Sequence, residues 1–165
     1  CGAIYSWKKY AENKGMQPEF ELKPHTADMA LVVRATSLEE LIEPLRLGFY
    51  ELVGSVIPKN VAPKHKSPSR LTLSFASDSP GELLREFAAE LLYLLEVKSL
   101  MAVSSCDPVF SDGRLVLSLE MAEVDTQASD LAREVKAVTY HGLSLERLVD
   151  EQDTSYLELH LLVDL

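Results

Sequence analysis

An α+β fold, a mixed, largely antiparallel sheet of about six to seven strands with two main helices packed on it, is predicted by three features of the sequence. Two stretches repeat apolar residues at helical spacing. Others alternate apolar with polar residues, and short turns join most consecutive alternating stretches, as antiparallel neighbours require.

Residues 1–17 show neither periodicity, and Lys8, Lys9, Glu12, Asn13 and Lys14 predict a loose N-terminal extension ahead of one domain over 18–165. Phe20–Lys23 alternates and Met29–Ala35 is rich in Leu and Val, so two strands flank the corner Pro24-His25-Thr26-Ala27-Asp28, which cannot be regular strand throughout. Ser37 and Glu40 have capping-box spacing, and Leu38, Leu41, Ile42, Leu45, Phe49, Leu52 and Val53 then recur helically until Gly54. Pro44 removes an amide donor inside that pattern and predicts a kink or a broken first segment.

A Pro-containing loop over 56–69 leads to the alternation of Leu71, Leu73 and Phe75, a further strand. Ser79 caps a second helix with Pro80 at its first position, and Leu83, Leu84, Phe87, Ala88, Leu91, Leu92 and Leu95 give it a wide apolar face. Strand-like runs over Leu100–Val109 and Leu115–Val124 are joined through Ser111-Asp112-Gly113, whose Asp-Gly step suits a hairpin. Asp125–Arg133 reads as a polar connection with one helical turn at most. Glu134–Leu148 and Tyr156–Asp164 alternate again, joined by the acidic turn Asp150-Glu151-Gln152-Asp153.

With 47% hydrophobic and 25% charged residues, the composition is that of an ordinary globular chain, and no apolar run is long enough to span a bilayer as a helix. The first residue is Cys1 and not Met, which predicts a processed or trimmed start, and the opening residues carry no secretory pattern. Two cysteines are too few for a disulfide framework or a metal pair, so a cytoplasmic, reducing setting is expected. A formal charge of -10 repels phosphate backbones and argues against strong direct nucleic-acid binding. Lys59, Lys64, His65, Lys66 and Arg70 form a local basic exception, which reads first as a solvated loop and second as a steering patch for an anionic partner.

Generic catalytic motifs are absent: there is no Gly-rich phosphate loop, dinucleotide fingerprint, zinc-protease His pair or Gly-x-Ser-x-Gly elbow. The four histidines, His25, His65, His141 and His160, lack metal spacing. Two segments stand out instead, His25-Thr26-Ala27-Asp28 and Lys136-Ala137-Val138-Thr139-Tyr140-His141. Together with Phe20-Glu21-Leu22, Ser37-Leu38-Glu39-Glu40-Leu41, Glu90-Leu91-Leu92-Tyr93-Leu94 and the final Val163-Asp164-Leu165, they resemble the archease family in order, from about residue 18 to the last residue.

That resemblance implies a protein with no covalent chemistry of its own. It would be an accessory activator of an RtcB-type tRNA-splicing RNA ligase, promoting ligase guanylylation with GTP and repeated turnover, and meeting GTP and RNA through the ligase. It also implies a metal site at Asp28, Asp164 and Leu165, the last through its α-carboxylate. Such an all-oxygen set suits calcium, magnesium or manganese and requires the last strand to lie beside the first corner. Gathered without a cation, three carboxylates would repel one another.

Other readings stand beside these. A corner aspartate such as Asp28 also caps turns, and Asp164 alone reads as an exposed terminal residue. His25 reads as a hydrogen-bonded residue that shapes the corner, and His141 as a buttress of the sheet. On a continuous strand Lys136 and His141 would point to opposite faces. Lys136 suits a contact to the ligase or its nucleotide, or plain solvent; Glu90 suits a partner contact, and Cys106 reads as core or strand surface. Pro44, Thr36 and Leu162-Val163 depart from the family pattern and bear on helix geometry and packing more than on the ligand oxygens. Two other function classes remain: a stand-alone metal-dependent phosphohydrolase, and a general chaperone or interaction module acting through exposed apolar surface.

Overall fold

The computed structural model describes residues 16–25, 28–59 and 69–165, with strands β1 (Glu19–His25), β2 (Asp28–Ala35), β3 (Ser69–Ala76), β4 (Leu100–Ser111), β5 (Arg114–Glu123), β6 (Ala137–Val138), β7 (Ser144–Val149) and β8 (Ser155–Asp164) and helices α1 (Ile42–Val53) and α2 (Pro80–Lys98). The α+β class and the two helices are as predicted. The strands, however, form two sheets and not one. One runs β1-β2-β8-β6 with β7 also on β8, the other β3-β5-β4, and every described pairing is antiparallel. The central strands β8 and β5 each have both edges filled, so neither has a free ladder through which the sheets could merge. Alternation marks a strand's buried face but not its partner.

Both helices touch strands of both sheets, α1 against β1, β2 and β4 and α2 against β3, β4, β6 and β7. One apolar core, containing Leu31, Val33, Phe49, Leu84, Phe87, Leu117, Leu159 and Leu161, draws on every layer. The first helical segment is indeed broken: a 3-10 turn over Glu39–Leu41 precedes α1, which leaves Pro44 in the first turn of α1, where its missing amide costs least. Ser37 Oγ accepts from the Glu40 amide, while the Glu40 carboxylate reaches back to the Thr36 amide, one residue further than in a standard capping box. Ser79 caps α2 by accepting from the Glu82 amide.

The Asp112-Gly113 hairpin joins β4 to β5, with Asp112 and Gly113 both at positive φ. In the polar connection, the Asp125 side chain accepts from the Gln127 and Ala128 amides and the Ser129 amide donates to Asp125 O, giving the single turn anticipated there. Cys106 is buried in β4 and disulfide-bonded, which departs from the reducing setting expected of two unpaired cysteines. Lys59 pairs with Glu123 and Arg70 is exposed, whereas Lys64, His65 and Lys66 lie outside the described residues, as do Thr26, Ala27 and most of the N-terminal extension. No described helix is long and apolar enough to cross a membrane.

Candidate functional site

In β2 the residues Leu31, Val33 and Ala35 face the core, as do Leu157, Leu159, Leu161 and Val163 of β8. Strand alternation therefore puts Asp28, Ala30, Val32 and Arg34 on the opposite, outer face with Asp164, Leu162, His160 and Glu158. The register sets Asp28 directly opposite Asp164, so their side chains leave the same face with Cβ atoms roughly 5 Å apart. His25 pairs with Asp28 on one side and Ala137 with Asp164 on the other, which makes a row of His25, Asp28, Asp164 and Ala137 across the sheet. The corner thus stays in strand register to both of its ends. Only the two residues between them connect the strands.

The last residue is held from two directions. Its leucine side chain packs against the core, and the Lys136 ammonium donates to the Leu165 main-chain oxygen at 2.7 Å. The Lys136 amide also donates to Asp164 O at 2.9 Å, and the Thr139 amide to Leu162 O at 3.0 Å. Asp28, Asp164, Leu165, Lys136 and His25 therefore gather at one end of the sheet, from three segments distant in sequence.

The remaining sequence-selected residues do not join them. The alternation expected over Glu134–Leu148 breaks into the two-residue β6, a turn at 139–143 and then β7. His141 is exposed in that turn, where Thr139 Oγ1 contacts both its amide and its carbonyl. Lys136 precedes β6, so opposite faces of a continuous strand do not describe this pair. Gly142 gives the turn its sharpness at φ 67°, and a Cβ there would come 2.9 Å from Leu162 Cδ1, so the turn lies close over the outer face beside Asp164. Glu90 is half-buried on α2, on an element apart from the row.

Two groupings escaped sequence reasoning. Arg85 of α2 donates to Val138 O at 2.7 Å and to Tyr140 Oη at 3.0 Å, stacks on the Tyr140 ring at 3.8 Å and pairs with Glu86, which also accepts from Tyr140 at 2.8 Å. Burial pushes the Glu86 carboxyl up, but hydrogen bonds from Arg85 and Tyr140 outweigh it and hold the group below its ordinary value. Elsewhere the buried Arg46 donates to Ala102 O at 2.8 Å and pairs with Glu43, which accepts from Ser105 at 2.6 Å. That network braces the irregular stretch of β4 at Ala102–Ser104. The only local signal was the i,i+3 charge pair Glu43–Arg46; Tyr140 lies too far along the chain from Arg85 to have been linked to it.

Chemically, the two aspartates of the row offer carboxylate oxygens, hard donors of the kind that suit a hard divalent cation. Among the described residues no three His, Cys, Asp or Glu side chains converge as a metal cluster.

Residues 20–165 match the archease protein family. The chain is 28% identical over 137 residues to protein archease of Pyrococcus furiosus, covering 80% of this chain and 91% of the relative. It is likewise 28% identical over 135 residues to protein archease of Thermococcus kodakarensis, with the same coverage. In fold it is similar to protein 1598 of Methanobacterium thermoautotrophicum, with a TM-score of 0.60 at 22% identity over 88% of this chain and 98% of the other. It is also similar to an archease of Thermotoga maritima described as a possible chaperone, with a TM-score of 0.57 at 19% identity over 87% and 96%. A family match over residues 20–165, which include both aspartates of the row at the sheet's end, makes this protein a member of the archease family.

Proposed function

We propose that this archease is an accessory activator of an RtcB-type tRNA-splicing RNA ligase, with a divalent cation held by Asp28, Asp164 and the α-carboxylate of Leu165. The observation that carries the reading is the direct opposition of Asp28 and Asp164 on the outer face of the sheet. Two aspartates side by side outside the core add nothing to packing and repel one another, an arrangement that favours a bound cation as the neutralising partner. A cation there would supply positive charge to phosphate oxygens of a nucleotide presented by the ligase.

The chain's own residues would set the conditions for that. The Asp28–Asp164 ladder fixes carboxylate spacing, the Leu165 side chain anchors the chain's end in the core, and the Lys136 ammonium neutralises part of the negative charge. Lys136 is also the residue best placed to touch a nucleotide or ligase group arriving at the site, and Glu90 is a candidate for a separate contact with the ligase. The strongly acidic surface suits a protein partner with a basic RNA-binding face, while RNA itself is met through the ligase.

The test is ligase guanylylation with GTP and manganese, measured with and without this chain. Stimulation by wild type, lost in Asp28→Ala and Asp164→Ala variants that keep their circular dichroism, is expected. Full stimulation by both variants rejects the carboxylate-centred reading. Hydrolysis of GTP or RNA ends by the purified chain alone would favour a phosphohydrolase instead.

A further inference from the structure

We infer that Arg85 is a positioning residue for this site: clamped between Tyr140 and Glu86, it holds the two-residue strand β6, and with it the Lys136 backbone, against the end of β8. The inference rests on the carboxylate reading above for its functional meaning, but the clamp itself is tested separately. A two-residue strand contributes too little ladder to hold itself in place. Yet β6 is the element that pairs Ala137 with Asp164 and lets the Lys136 amide donate to Asp164 O. The Val138 side chain and Val135 beside it pack in the core, and the β6 backbone needs a further contact to set its position against β8.

Arg85 reaches β6 from α2, the longest helix described, which is rigidly seated by Leu84, Phe87, Ala88 and Leu91. Its Nη1 takes the Val138 carbonyl at 2.7 Å, one residue from the partner of Asp164. Its Nη2 meets Glu86 and the Tyr140 hydroxyl, and the guanidinium lies 3.8 Å from the Tyr140 ring centroid. Tyr140 is 59% exposed, so burial does not hold its ring there; these polar and stacking contacts do. Arg85 Nε, meanwhile, is buried with no hydrogen-bond partner among the described residues. The side chain is oriented toward β6 and the following turn by the contacts of its two Nη atoms. Lysine, a single point charge without the planar fork, can keep the carbonyl contact but not the stack and the paired contacts together.

Hydrogen exchange on the full chain decides the matter. Arg85→Met should speed exchange of the Lys136 and Thr139 amides by roughly tenfold, while the Leu31 and Leu117 amides keep wild-type rates, because only the β6 end opens. Arg85→Lys should fall between, and calorimetry should show a parallel weakening of manganese binding. Should Arg85→Met unfold the protein, Tyr140→Phe, which removes the hydroxyl contacts and keeps the ring, carries the same exchange test with a smaller effect. Wild-type exchange at Lys136 and Thr139 in the testable variant, or equal acceleration at every amide, overturns the clamp. Failure of wild type to bind manganese, with the local exchange effect intact, would instead count against the carboxylate reading.

Discussion

Arg34 stands directly opposite Glu158 on the ladder that brings Asp28 to Asp164, and its Nε donates to the Glu158 carboxylate at 2.5 Å. The two pairs share the outer face but lie six residues apart along each strand, roughly 20 Å at strand rise. One end of the sheet therefore satisfies its carboxylates internally, with Arg34 also bonded to Glu19 and Glu21 and with His160 bonded to Glu158, while the other brings two aspartates together beside a lysine-held main-chain oxygen.

The first prediction concerns acid stability. Burial pushes the Glu158 carboxyl up, but hydrogen bonds from His160 and Arg34 outweigh it and leave the group below its ordinary value. A carboxylate depressed on folding stabilises the fold fully above its unfolded pKa, about 4.3 for glutamate, and that stability is lost as pH falls through the lower folded value. Glu158→Gln should cost about 1–3 kcal/mol at pH 7 and progressively less below pH 4. Urea midpoints for both proteins across that range measure it; parallel curves for wild type and variant would show that Glu158 contributes no pH-linked stability.

The buried Arg46 network gives a second. Arg46→Met removes the side-chain donor to Ala102 O and leaves the Glu43 carboxylate with the Ser105 hydroxyl but without its cationic partner, so a loss of about 3 kcal/mol is expected. Glu43 itself is partly exposed, which keeps the figure below that of a fully enclosed pair. Arg46→Lys should restore less than half, since one ammonium cannot serve both acceptors in the same geometry. Urea unfolding that places Arg46→Met within about 0.5 kcal/mol of wild type would show the network to be incidental.

How far these features were readable beforehand depends on the range of the interactions. Ser79-Pro80, the stripe from Leu83 to Leu95 and Asp112-Gly113 are local signals, and each gave its element because capping, periodicity and turn chemistry act within a few residues. The corner Pro24-His25-Thr26-Ala27-Asp28 is expected not to be regular strand throughout, and the ladder reaches Pro24 and His25 on one side and Asp28 on the other, while Thr26 and Ala27 lie outside the described residues. Partition into two sheets is not legible locally, because neither the alternation around Leu73 nor the Leu- and Val-rich run around Leu31 says which strand lies beside it. At the site, resemblance pointed to Asp28, Asp164 and Leu165, but their meeting is a matter of β2–β8 register. The Lys136 contact to Leu165 and the Arg85–Tyr140 stack arise from chain segments 29 and 55 residues apart, where no spacing rule applies.

Gly142 tests how closely the turn after β6 must sit on the outer face. Alanine there meets both a φ of 67° and a Leu162 side chain at 2.9 Å, so Gly142→Ala should destabilise by about 1–2 kcal/mol. Relief through Leu162→Ala in the double variant should recover part of the steric share but none of the backbone share. Thermal melts of the four proteins separate the two; strict additivity would mean that Leu162 does not resist the added methyl.

The last prediction addresses charge balance at the chain's end. If the Leu165 α-carboxylate is a ligand, amidation or a tag fused after Leu165 should weaken calcium or manganese binding by about tenfold, as expected for loss of one of three anionic donors. Lys136 makes the opposite case. Its ammonium occupies a Leu165 oxygen at 2.7 Å, so it competes with an incoming cation for that donor. Lys136→Met should then tighten cation binding while lowering ligase stimulation, because affinity gains what recognition of the nucleotide or ligase loses. Calorimetry and guanylylation measured on the same preparations separate these effects. Unchanged cation affinity in the amidated chain removes Leu165 from the ligand set, and weaker binding in Lys136→Met would mean that the ammonium holds the donor in place more than it competes for it.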